Sequence, residues 1–119
     1  MIKYKAQFTQ IGPLVSEFLA HNILVLFGAS APEELAEFAV IHDGVDLVEP
    51  IEAGDTVSIN NEIFKILAVG EVANTNLKNL GHLVLKCNGR TEPEMPGDVC
   101  LEEKPLPLIE VGTTLLVSK

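Results

Sequence analysis

Three histidines and two cysteines are the side chains of this sequence best suited to chemistry without a cofactor: His21, His42, His82, Cys87 and Cys100. His42 has the most informative setting. It closes the apolar run Phe38-Ala39-Val40-Ile41 and stands immediately before Asp43-Gly44, a turn signal. An imidazole is thereby placed where a strand gives way to a loop, with a rigid element to aim it and a loop to admit a partner. An ordinary histidine titrates near pH ~6.5 and is largely neutral at cytoplasmic pH. A neutral imidazole is a nucleophile and can carry a phosphoryl group. On spacing alone, the plainer reading is a histidine that ends a strand and donates one hydrogen bond.

The other candidates read more plainly. His21-Asn22 follows a helical pattern, and a histidine there suits a helix C-terminus, where it meets free carbonyls and the negative helix end. His82 follows Gly81 at the start of an apolar strand pattern. Cys87 and Cys100 form no CxxC pair and read as buried thiols. No pair of histidines or cysteines has the short spacing of a structural zinc site, so no metal is expected. The chain has no Gly-rich phosphate loop followed by Lys-Ser or Lys-Thr, no GxGxxG and no GxSxG. Phosphate chemistry would run on a side chain, with no bound nucleotide and no cofactor.

These residues must be positioned by short strands. Ile2 to Gln10 alternates, with Ile2, Tyr4, Ala6 and Phe8 on one face and Lys3, Lys5 and Gln7 on the other. Gly12-Pro13 stops that strand and opens a helix carrying Leu14, Val15, Phe18 and Leu19. Ile23 to Phe27 is a continuous apolar run, as in a strand buried on both faces. Ser30, Pro32 and Glu33 read as a capping box opening a short helix to Ala36. Phe38 to His42 is a strand. Asn60-Asn61 joins two strand patterns in a tight hairpin. Glu71 to Leu80 is helical or irregular, with Gly81 as its stop. His82 to Cys87, Asp98 to Leu101 and Thr113 to Ser118 complete the strands. The fold class is mainly β: a small closed or partly closed β-barrel of about eight short strands with two or three short helices.

Residues 1–119 are the size of one domain. With 47% hydrophobic residues but no tryptophan and one tyrosine, the core must be mostly aliphatic. No apolar run reaches the roughly 20 residues that cross a bilayer, and no secretory signal pattern opens the chain. A cytoplasmic location is expected. The net charge is −9, from 17 acidic against 8 basic residues. That argues against nucleic acid and against an anionic membrane surface. It suits a transient basic protein partner, although solubility alone explains it as well.

Three stretches carry a resemblance that covers most of the chain. The first is Gly28 to His42, with Ala31-Pro32, Glu34-Leu35, Glu37 and Ile41-His42. The second is Ala68-Val69-Gly70-Glu71-Val72-Ala73, then Asn76-Leu77 and Leu80-Gly81-His82. The third is Glu94-Met95-Pro96-Gly97-Asp98-Val99, and Thr9-Gln10-Ile11-Gly12 fits as well. With these motifs the chain resembles the glucitol/sorbitol-specific IIA component of the bacterial sugar phosphotransferase system. The resemblance implies a phosphoryl carrier. It implies a histidine that takes phosphate from the phosphocarrier protein HPr and passes it to the IIB component of a IIB/IIC membrane permease. The family's acceptor follows isoleucine, which maps onto His42. Some members carry a second histidine close behind; here Asp43-Gly44 stands instead. Cys87 replaces an expected aromatic residue. His82 is the second site candidate, able to hydrogen-bond the phosphate or orient the acceptor ring. The competing class is a non-catalytic β-barrel that binds a sugar or regulates transcription.

Overall fold

Alternating and continuous apolar patterns become eight strands. They are β1 (Ile2–Ile11), β2 (Ile23–Gly28), β3 (Val40–His42), β4 (Thr56–Ile59), β5 (Glu62–Val69), β6 (Leu83–Lys86), β7 (Asp98–Leu101) and β8 (Thr114–Ser118). Three helices join them: α1 (Val15–Leu19), α2 (Glu33–Ala36) and α3 (Ala73–Leu80). The computed structural model describes residues 1–119. The strands close into a barrel in the order β1-β3-β2-β6-β7-β5-β4-β8. Closure removes exposed edges, the usual hazard of a β protein. The expected mainly β barrel is therefore found, and it is fully closed.

Two neighbouring pairs are parallel, β2 with β3 and β6 with β7. Parallel neighbours need a crossover rather than a tight turn. The α2 segment supplies the first, and the Pro93 and Pro96-Gly97 stretch supplies the second. The antiparallel hairpin of β4 and β5 turns on Asn60, whose φ is 54°.

A cluster of 22 buried residues fills the barrel, with Phe8, Leu24, Phe64, Leu85 and Leu115 among them. Each such large side chain contributes roughly 1.5–3 kcal/mol by leaving water. A second, smaller cluster lies outside the wall, where Val25, Phe27, Ala39 and Ile41 pack under Leu35 and Phe38. So β2 and β3 are covered on both faces, which is why their sequences are continuously apolar.

Three expectations change. Lys3 is not on the outer face: it is 1% exposed. The β1–β8 register slips between Ile2 and Tyr4, and this irregularity leaves both Lys3 and Tyr4 buried. Ser30 does not cap α2. Pro32 occupies the N-cap position, no side chain bonds there, and Ser30 is exposed. The strand before His42 starts at Val40 rather than Phe38, because Phe38 leaves the ladder to pack against Phe18 and the outer cluster.

Candidate functional site

His42 is the last residue of β3 and is 1% exposed. Its strand holds it from both sides, with Gly28 of β2 opposite in the parallel register and Phe8 of β1 opposite in the antiparallel one. Asp43, the next residue, is tied to β1 by a reciprocal pair of bonds. Its N–H donates to the Gln7 carbonyl at 3.2 Å, and its carboxylate accepts the Gln7 N–H at 2.7 Å. The end of β3 is thus fixed on both flanks before the loop 43–50 departs.

Both ring nitrogens of His42 face backbone groups. Nε2 lies 2.7 Å from the Gly81 carbonyl oxygen. A carbonyl only accepts, so Nε2 carries a proton and donates it. Nδ1 lies 3.1 Å from the Gly44 nitrogen. An amide N–H only donates, so Nδ1 presents its lone pair. The partners therefore select the neutral Nε2–H tautomer. Burial pushes the His42 pKa below 6.5, against the opposing pull of the Gly81 carbonyl and the Asp43 carboxylate. The same low dielectric that disfavours imidazolium keeps the nucleophilic form populated.

Glycines make this closeness feasible. The α3 helix ends at Gly81 in a left-handed turn with φ 63°. A Cβ at Gly81 would stand 2.8 Å from the Gly28 backbone and 3.1 Å from Cε1 of His42. Tyr4 closes the other side: its ring meets the imidazole edge-on, with centroids 5.9 Å apart. The Tyr4 hydroxyl lies against Gly44, 2.6 Å from where a Cβ would be.

His82 follows the carbonyl that holds His42, but its own ring turns elsewhere. It stacks on Phe27 at 4.1 Å, and its Nδ1 lies 3.1 Å from the Leu26 carbonyl. No hydrogen bond joins the two imidazoles. His21 is exposed after α1 and stands apart from this corner. Cys87 and Cys100 are buried and unpaired, and burial pushes the Cys87 thiol up to about 11. Of the apolar residues flanking His42, Ile41 is buried and Phe38 is half-buried. Val45 is 80% exposed and Val48 64% exposed, so the free apolar surface beside His42 lies on the following loop. The largest cavity, about 710 Å³, lies between α1 and Pro105–Ile109 and contains none of these groups. Geometry and chemistry favour the His42 corner over that apolar groove. In sequence, Tyr4 reads simply as core, because it stands on the apolar face of an alternating strand.

No helix is long and apolar enough to cross a membrane. Residues 3–116 match the family described as the PTS system glucitol/sorbitol-specific IIA component. The chain is 34% identical over 96 residues to the glucitol/sorbitol-specific EIIA component of Shigella flexneri, covering 81% of this chain and 78% of that protein. It matches the protein of the same name from Escherichia coli (strain K12) with the same identity and coverage. The crystal structure of a PTS system IIA component from Enterococcus faecalis V583 superposes with a TM-score of 0.78. It is 28% identical and covers 93% of this chain and 96% of its own. A barrel of this topology, matched along nearly its whole length, belongs to the glucitol/sorbitol-specific IIA family of the phosphotransferase system, whose members are phosphoryl carriers.

Proposed function

We propose that His42 is the residue of this phosphotransferase component that carries the phosphoryl group. In this reading it receives phosphate from HPr and passes it to the IIB component of a glucitol/sorbitol permease, in the cytoplasm. The observation that carries the reading is the imidazole that follows Ile41 at the end of β3, its Nε2 facing a backbone carbonyl and its Nδ1 facing a backbone amide. Phosphoryl transfer passes through a loose transition state and asks the protein chiefly for in-line placement and charge stabilisation. A ring fixed by two backbone bonds meets the first demand. Partner docking over Val45 and Val48 would exclude water from the labile phosphohistidine.

His82 acts in this scheme as an orienting residue. Its stack on Phe27 and its bond to Leu26 anchor the Gly81 corner, whose carbonyl aims the His42 ring. The test is phosphorylation with enzyme I, HPr and phosphoenolpyruvate, comparing wild type with His42→Gln and His82→Ala. Label is expected to vanish in the first variant and to form more slowly in the second. Full labelling of folded His42→Gln would remove His42 from the role. Absence of any label on the wild-type protein would favour a binding module instead.

A further inference from the structure

We propose that the phosphoryl group is carried on Nδ1 of His42, in the cleft between β1 and the loop after β3, and that the Tyr4 hydroxyl donates a hydrogen bond to it. This rests on the reading that His42 is the acceptor.

The two backbone partners make the ring nitrogens unequal. For Nε2 to attack phosphorus, its proton would have to move to Nδ1, where an N–H would then oppose the Gly44 N–H. Two donors facing each other at 3.1 Å repel, so that tautomer is disfavoured in this frame. Nδ1 already holds a lone pair. Its only obligation is one amide donor on a loop outside the strands, and that donor can turn to an oxygen of the incoming group. Nε2–H stays on the Gly81 carbonyl, which also stabilises the ring as it gains positive charge.

The transfer balances without another reactant. The Nδ1 pair forms the new N–P bond as the donor's own N–P bond breaks. The breaking pair returns to the donor imidazole, and His42 keeps its Nε2 proton.

The structure assigns Tyr4 to the same side. Its side chain is 3% exposed, yet its hydroxyl has no hydrogen-bond partner in the protein. Every fully buried side-chain polar atom does have one, so this oxygen keeps a contact with solvent. Tyr4 lines a cleft of about 220 Å³ together with Lys5, Asp43, Val45, Asp46 and Val48. The hydroxyl sits over Gly44, whose N–H points at Nδ1. A phosphoryl group on Nδ1 would displace that amide and meet the phenol. Burial, with Asp43 and Asp46 nearby, pushes the phenol up to about 12, so it remains a donor at any working pH. The Asp43 carboxylate is turned toward the Gln7 N–H, and Lys5 offsets the Asp46 carboxylate in the lining of the cleft.

The experiment uses full-length protein with ¹⁵N-labelled histidine, phosphorylated through enzyme I and HPr. The nitrogen bonded to phosphorus is read from its ¹⁵N–³¹P coupling. Coupling at His42 Nδ1 supports the proposal. Coupling at His42 Nε2 overturns it while leaving His42 as the acceptor. Label on a different residue overturns the acceptor reading and this proposal together. Tyr4→Phe, which keeps the ring against His42 and Gly44, should retain the wild-type thermal midpoint and the same site of attachment. It should slow phosphorylation by roughly 10- to 100-fold, the usual effect of losing a hydrogen bond to a charged group. A Tyr4→Phe protein whose phosphorylation rate and phosphohistidine lifetime are both unchanged overturns the role of the hydroxyl.

Discussion

Lys3 and Tyr4 are neighbours on β1, both buried, and they serve two buried polar sites of opposite character. Lys3 Nζ donates to the Asp55 carboxylate at 2.7 Å and to the Pro50 carbonyl at 2.9 Å, with Glu52 at 3.6 Å. Asp55 also accepts the Glu52 N–H. The hydrogen bond to Asp55 raises the Lys3 pKa despite burial, so the charge persists, held by two hydrogen bonds. Tyr4 leads instead to His42, where burial lowers the pKa and leaves a neutral ring. A buried ion pair fastens the chain, and its ammonium has no lone pair to offer. A neutral ring with one lone pair behind a single amide can react. Burial alone therefore does not distinguish a structural polar site from a reactive one; the protonation state does.

The sharpest way to break this contrast is a pair of variants. His42→Gln should abolish phosphorylation while the barrel stays folded. Asp55→Ala should strand a buried ammonium and lower the thermal midpoint by about 10 °C or more, while the remaining folded protein phosphorylates normally. Phosphorylation assays beside calorimetry check both. If Asp55→Ala lost activity without losing stability, the two sites would not be separate.

A smaller effect is expected at Gly81. Gly81→Ala forces a Cβ into the Gly28 backbone and toward His42, at a φ of 63°. It should cost about 1–3 kcal/mol of stability and slow phosphorylation about tenfold, because the carbonyl that aims the ring must move. Urea unfolding and transfer kinetics measure the two effects. A variant that loses stability but keeps its rate would mean that the Gly81 carbonyl does not orient the ring.

These local features differ in how readable they were. The Asn60 hairpin and the Gly81 stop of α3 follow from residues that tolerate positive φ, a property of the residue itself. The position of His42 at a strand end follows from an apolar run meeting Asp-Gly. The burial of Lys3 was not legible, because a single register slip against β8 overrides the alternation. Tyr4 is hidden for a related reason: His42 lies 38 residues away on β3, which the β1–β3 pairing brings alongside. The direction of the His82 ring was equally hidden, since Phe27 and Leu26 reach it through the β2–β6 pairing.

The pH dependence sharpens the contrast further. Folded His42 titrates below 6.5, so as pH falls the unfolded chain takes up this proton first. The stability contributed by the neutral ring is fully present above about pH 6.5 and is lost as pH falls through the folded value. With His42 as the proposed acceptor, phosphorylation should likewise persist below the pH at which an exposed histidine becomes half-charged. NMR titration of the His42 ring, compared with free histidine, checks this. A His42 midpoint at or above 6.5 would contradict the buried, neutral site.

The smallest expected effect concerns how a partner reaches His42. Asp43, Asp46 and Glu49 are exposed on the loop after β3, and Glu33, Glu34 and Glu37 are exposed in and just after α2. With a net charge of −9, these carboxylates should steer a basic partner face. Val45 and Val48 on the same loop offer apolar contact instead. Screening separates the two contributions, since the Debye length falls from about 10 Å at 0.1 M salt to about 3 Å at 1 M. If charge steers docking, the second-order rate of transfer from HPr should fall several-fold over that range, through the on-rate. Val45→Ser should then leave the salt slope unchanged while weakening the docked complex. A rate indifferent to salt, combined with a large loss in Val45→Ser, would assign recognition to the apolar loop. The negative surface would then serve solubility alone.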